Sequence, residues 1–182
     1  MPQDMINDIR IMSRSELSFS SKLYRCAVGT NDFAVHKREG DQRTPMGRFA
    51  LRECWYRADR ISKPATGLAL RVIEPDDAWC DDPHHTDYNR PVKLPFDGSH
   101  EQLWRDDFIY DIFIPIGYND GPIQRGVGSA IFFHLAKPDY TPTQGCVSVI
   151  MPDMLEILKK IGPESRIIIE PIVKMAKLYR VD

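Results

Sequence analysis

Paired cysteines are missing from the sequence. Its four cysteines, at positions 26, 54, 80 and 146, lie 28, 26 and 66 residues apart with no CxxC among them, which excludes a disulfide scaffold and the usual paired-thiol metal sites. Long apolar runs are missing too. The longest uncharged stretches, such as Gly126 to Ala136, fall far short of the ~20 residues that a membrane span needs. The stretch Met1 to Phe19 is interrupted by Asp4, Asp8, Arg10, Arg14 and Glu16, so no apolar core of a signal peptide can be cut from it. A soluble, cytoplasmic protein is expected; a periplasmic one would need an export signal that this chain does not show. An excess of basic charge is absent, with 24 Lys and Arg against 26 Asp and Glu, so no nucleic-acid partner is expected. There is no GxxxxGK[ST], no GxSxG elbow and no HExxH, and Gly126-Val127-Gly128-Ser129-Ala130-Ile131 fails GxGxxG at its last position. Nucleotide, serine-hydrolase and zincin chemistry lose their support.

What is present fits a folded chain. Apolar residues make up 42% and charged residues 27%, far from the balance of disordered, collagen-like or coiled-coil sequences. A length of 182 residues predicts one domain, 1–182, able to bury a core without a metal or disulfide staple. Short strands broken by turns are predicted over 8–12, 22–28, 32–36 and 48–53, with 37–49 a polar hairpin-like loop. Leu68, Leu70 and Val72 alternate with Ala69 and Arg71, the pattern of a half-buried strand. The proline-rich, acidic stretch 75–95 reads as a long loop. Ser99 and Gln102 form a capping-box pattern that predicts a short helix through Leu103 and Trp104, ending near Asp107. Strand character resumes over 108–116, and 130–135 reads as a buried strand. A helix is predicted from Pro152, with Met154, Leu155, Leu158 and Ile161 on one face and Gly162 as its stop. A last strand spans 166–173. The sum is a mainly β fold with two short helices, a mixed β-rich sandwich or barrel.

The chemistry concentrates in Thr141-Pro142-Thr143-Gln144-Gly145-Cys146-Val147-Ser148-Val149, with Cys146 twelve residues after His134. A cysteine directly after a glycine suits acyl transfer, because glycine lets successive backbone N–H groups turn toward a developing oxyanion. The attacking species is the thiolate, and a nearby imidazole can take the thiol proton and return it to a leaving amine. His134, at the end of an apolar strand, is the candidate base. Each residue alone also reads as an ordinary buried side chain. Thiol reactivity separates the two readings, since a thiol of depressed pKa is alkylated below about pH 7 and an inert one is not. Cys26 and Cys54 sit in strand patterns and read as core residues.

Taken together, His134 with Thr143-Gln144-Gly145-Cys146, the run Gly126 to His134, and Arg43-Thr44-Pro45-Met46-Gly47-Arg48-Phe49 resemble the YkuD-type L,D-transpeptidases. Trp79-Cys80-Asp81-Asp82-Pro83 with Tyr88-Asn89 resembles a subgroup of that family. The resemblance implies a YkuD-like, β-rich catalytic domain that cleaves between the third residue of a peptidoglycan stem peptide and its terminal D-alanine. It implies Cys146 as nucleophile, His134 as general base, the Leu135 carbonyl as the group orienting the imidazole, and the N–H groups of Gln144, Gly145 and Cys146 as oxyanion hole. Peptidoglycan stem peptides or muropeptides are the implied partners, and no cofactor is expected. Water as acceptor would give an L,D-carboxypeptidase trimming recycled fragments, an amine a transpeptidase. A peptide-binding module without catalysis, or a cysteine hydrolase of another amide, stays open.

Two positions depart from the family's common pattern. Gln144 stands where a His is usual, and Ser148 stands where an Arg or Asn is usual. The carboxylates of the substrate are therefore assigned to Arg125 and Arg90 on loops, by bidentate contacts. Thr143, Ser148, Asp82, Tyr88 and Asn89 are expected to shape the substrate cleft. Cys80-Asp81-Asp82-Pro83-His84-His85-Thr86-Asp87 contains metal-ligating residue types, but its spacing completes no ligand set, and no metal is assigned.

Overall fold

Alternating burial along short strands builds two five-stranded sheets. The computed structural model describes residues 7–171. The first sheet takes β1 (Ile9–Ile11), β2 (Glu16–Phe19), β3 (Lys22–Arg25), β6 (Gly47–Ala50) and β15 (Arg166–Ile169), in the order β3-β2-β1-β15-β6. The second takes β7 (Cys54–Tyr56), β8 (Leu70–Val72), β12 (Ile112–Pro115), β13 (Phe132–Leu135) and β14 (Val147–Val149), in the order β14-β13-β12-β7-β8. A three-stranded sheet of β9 (Asp77–Cys80), β10 (Pro91–Lys93) and β11 (His100–Gln102) has β9 in its middle, and β4 (Phe33–Ala34) pairs with β5 (Thr44–Pro45). Single bridges from Ala27 to Ser148, Gly29 to Thr143 and Leu51 to Ile116 tie the large sheets together. The described strands form several sheets that close no barrel, the mainly β architecture expected, with both large sheets contributing to one main core.

Four strands of the second large sheet, β7, β12, β13 and β14, are buried on both faces, and the edge strand β8 is not. Phe133, Leu135, Val147 and Val149 point into the main core with Ile9, Ile112 and Ile114. The alternate residues Trp55, Phe113, Phe132 and Cys146 point the other way, into a smaller aromatic layer with Trp79, Leu103 and Tyr110. Phe113 lies 4.7 Å from Phe132 between ring centroids, and Trp79 meets Phe132 edge-on at 5.1 Å. Burial on two faces is why 130–135 reads as an unbroken apolar run rather than an alternating one. Ile112 is fully buried in the main core. Ile112→Ala is therefore expected to destabilise by roughly 2–5 kcal/mol, read as a lower denaturant midpoint at constant m-value.

Several elements differ from expectation, each for a physical reason. The stretch 75–95 is not all loop, because it holds β9, with Ala78, Trp79 and Cys80 buried, and the edge strand β10, where Pro91 is tolerated as first residue. The helix expected after Ser99 is instead β11. Glu101 pairs opposite Trp79, and the open edge of β9 wins over a helix too short to nucleate. Among the described residues one helix remains, α1 (Met151–Leu158), opened by Pro152 and followed by Lys159 rather than stopped at Gly162. Its buried residues are Met154, Ile157 and Leu158, whereas Leu155 is exposed. The last strand ends at Ile169, and Ile172 and Val173, which the expected strand included, lie outside the described residues.

Candidate active site

Strand register decides which side chains share the site. β13 and β14 pair in parallel, with Phe133 opposite Val147 and His134 opposite Ser148. Because side chains alternate along each strand, Phe132, His134, Cys146 and Ser148 project from one face. That face opens, beyond the aromatic layer, into a cavity of about 290 Å³ lined by His134, Cys146 and Ser148. The loop before Cys146 is held by Thr143, whose hydroxyl accepts from the Gly145 N–H at 3.1 Å and donates to the Cys146 carbonyl at 2.7 Å. Gly145 has φ 129°, and a Cβ there would lie 2.8 Å from the Arg43 carbonyl oxygen. Both the left-handed backbone and the close approach require glycine.

The sulfur is gripped by main chain. The Cys146 S–H donates to the Ala130 carbonyl at 3.3 Å, and Sγ accepts from the Phe132 N–H at 3.3 Å. His134 is not its hydrogen-bond partner in this resting geometry. Burial pushes the Cys146 thiol up to about 12, opposed by the Phe132 N–H, so the depressed thiol pKa that would mark a standing thiolate is not found. The imidazole of His134 donates from Nδ1 to the Leu135 carbonyl at 2.9 Å, which places the lone pair on Nε2. Burial lowers the His134 pKa to about 4, against the effect of the Leu135 bond. At neutral pH the pair is thus a thiol and a neutral imidazole, poised for general-base rather than ion-pair chemistry.

A charged rim surrounds the pair. Arg105 makes a bidentate contact to Asp107, at 2.8 Å on each arm, and reaches Glu101 at 3.2 Å. Burial raises the Glu101 carboxyl above its ordinary value, with Arg105 opposing and Asp81 and Asp107 adding to the rise. Tyr110 packs edge-on against the His134 ring at 5.4 Å. The buried Lys37 also lines the cavity and pairs with Asp41 at 2.6 Å. The sequence reading passed over Lys37, Glu101, Arg105, Asp107 and Tyr110. The signal for the last four was charge crowded around a tyrosine just upstream of a strongly apolar strand.

Residues 14–169 match the family model of the YkuD L,D-transpeptidase catalytic domain. The chain belongs to the YkuD family. No curated protein and no solved structure matches it. The family match runs from just before β2 to the end of β15, so it takes in the whole of the second large sheet, the first large sheet apart from β1, and the cavity.

This YkuD domain brings together Cys146, His134, Leu135, Thr143, Gln144 and Ser148, all of which line the cavity. The remaining residues named from sequence lie elsewhere. Arg125 is directed to the His84 carbonyl at 3.4 Å. Arg90 and Asn89 border a second cleft of about 380 Å³ beside Trp55 and Trp79. Asp82 accepts the His84 N–H at 2.9 Å and so builds a local turn. Tyr88 is buried, donates to Glu39 and accepts the Gly128 N–H at 3.0 Å. The Gly145 N–H, expected in the oxyanion hole, is occupied by the Thr143 hydroxyl. Arg125→Ala is accordingly expected to leave KM for a stem peptide within about twofold, since an exposed charge outside the cavity contributes little; steady-state kinetics on the variant check this.

Proposed function

We propose that the chain is a cysteine-dependent acyl-transfer enzyme of peptidoglycan stem peptides. Cys146 Sγ attacks the carbonyl carbon joining the third residue to the terminal D-alanine, and the thiol proton passes to Nε2 of His134. The C–N bond then breaks, His134 returns the proton to the departing amine, and D-alanine leaves a thioester on Cys146. Water resolves the thioester to a tripeptide, the L,D-carboxypeptidase outcome of muropeptide trimming; an amine resolves it to a cross-link or an exchanged end residue.

One observation carries this reading: His134 and Cys146 stand on one face of adjacent parallel strands and open into the same cavity, with Nδ1 occupied by Leu135. Attack requires the S–H to leave the Ala130 carbonyl for the imidazole. Catalytic hydrogen bonds commonly tighten only when substrate is present. The N–H groups of Gln144 and Cys146 serve as oxyanion donors, each worth roughly 2.7–4 kcal/mol, while Thr143 keeps the Gly145 N–H as part of the loop. The resting bond from the thiol to Ala130 favours the second reading, a peptide-binding module with an idle cysteine.

Mass spectrometry of the protein incubated with a free stem tetrapeptide ending in D-alanine separates them. Loss of one D-alanine establishes the carboxypeptidase, and a joined dimer or an exchanged end residue the transpeptidase. Peptide binding without product or acyl adduct, from intact muropeptides as well, leaves only the binding module.

A further inference from the structure

The main chain that grips the sulfur has an unusual shape. Ala130 adopts φ 50°, a left-handed conformation that few residues other than glycine take up. Its carbonyl accepts the Cys146 S–H, and two residues on the Phe132 N–H donates to the same sulfur. The N–H of Ala130 is held by Asn89 Oδ1 at 3.0 Å.

Asn89 has no capacity left for a substrate. Its Oδ1 also accepts the Trp79 indole N–H at 3.0 Å, and its Nδ2 donates to the carbonyls of Tyr118 at 3.2 Å and Asn119 at 2.8 Å. Two lone pairs and two N–H groups are the whole inventory of a side-chain amide, and all four are used. The residue is buried, 5% exposed. The four partners also fix which end of the amide is oxygen, because a flipped amide would set N–H against N–H and O against O. Aspartate in this place would keep the two accepted bonds and turn the two donated ones into oxygen–oxygen repulsions.

We propose that Asn89 is a positioning residue for the nucleophile: it locks Ala130 in the left-handed conformation that lets residues 130–132 hold the Cys146 sulfur at two points. The neighbouring Tyr88 assists by accepting the Gly128 N–H, and Ser129 is tied to Glu39 by a hydrogen bond of 2.7 Å. The segment entering β13 is thus held at Gly128 and Ala130 from the loop that follows β9, and at Ser129 from the loop between β4 and β5. The assignment rests on the reading of Cys146 as the acylated residue.

The test is the rate of acyl-adduct formation on Cys146 with a stem tetrapeptide, followed by intact mass under single-turnover conditions. Asn89→Ala is expected to lower the acylation rate constant about tenfold, the value of a well-made hydrogen bond, with KM changed less than about twofold. Glycine takes up positive φ at no steric cost. In an Ala130→Gly background the same Asn89→Ala substitution is therefore expected to cost less than about threefold, so the two changes are non-additive. Ala130→Val leaves every contact of the Asn89 side chain with Trp79, Tyr118 and Asn119 in place but opposes the left-handed backbone. It should reproduce the tenfold loss, and it carries the test if Asn89→Ala does not fold. A folded Asn89→Ala that acylates at the wild-type rate, additivity with Ala130→Gly, or Ala130→Val at the wild-type rate overturns the proposal. Absence of any adduct on the wild-type protein overturns the nucleophile assignment instead.

Discussion

Cys146→Ala is expected to abolish D-alanine release from a stem tetrapeptide, a loss on the order of 10⁶ in kcat if the cysteine is the nucleophile. The sulfur contacts the main chain of Ala130 and Phe132 and sits in the aromatic layer, and the hydroxyls that line the same cavity, Ser148 among them, are intrinsically weaker nucleophiles than a thiol. The substitution removes a small side chain whose two bonds are to main chain. The fold should survive, so unchanged circular dichroism accompanies the loss. Residual turnover above about one part in a thousand, with no contaminating peptidase, would place the chemistry on another group.

His134→Gln is expected to reduce kcat by roughly 10²–10⁴, the range for removing a general base. The pH dependence carries more information than the magnitude. The base must be neutral to take the thiol proton, and burial holds its pKa at about 4. Wild-type kcat/KM should therefore stay level from neutral pH down to about 5 and fall as the pH drops through 4, with no inflection near the ordinary value of 6.5. An inflection near 6 to 7 would contradict the buried, neutral imidazole. Stability follows the same linkage. The folded value is depressed, so the neutral ring stabilises the fold in full above pH 6.5, and that contribution is lost as the pH falls toward 4. The loss is on the order of 3 kcal/mol. Urea titrations of the wild type and His134→Gln across this window measure it as a difference that other acid-sensitive groups share and cancel.

Legibility differed from element to element. The strand over 130–135 and the final Ile167-Ile168-Ile169 strand could be read because burial on both faces leaves an apolar run in the sequence. The helix after Pro152 was legible, but its face was read one residue off, since Leu155 and Ile157 are equally apolar and only packing against the main core tells them apart. β9, β10 and β11 were not legible. They are three or four residues long, carry prolines and acids, and are held by pairing with each other rather than by their own pattern.

The candidate site divides along the same line. Sequence by itself determined the fold class, the glycine–cysteine turn, the histidine on the preceding strand and, through the motifs around them, the family. Those features are local: each is a residue type demanded by backbone geometry or by chemistry within a few positions. Tertiary structure alone decided that Cys146 and His134 share a face, that the thiol rests on Ala130, and that the charged rim is Glu101, Arg105 and Asp107 rather than Arg125 and Arg90. It also set the Asn89 amide against Trp79, Ala130, Tyr118 and Asn119, with all four of its hydrogen-bonding groups used. The physical reason is that register, burial and hydrogen-bond saturation are properties of pairs of segments far apart in the chain, and neither segment carries them alone.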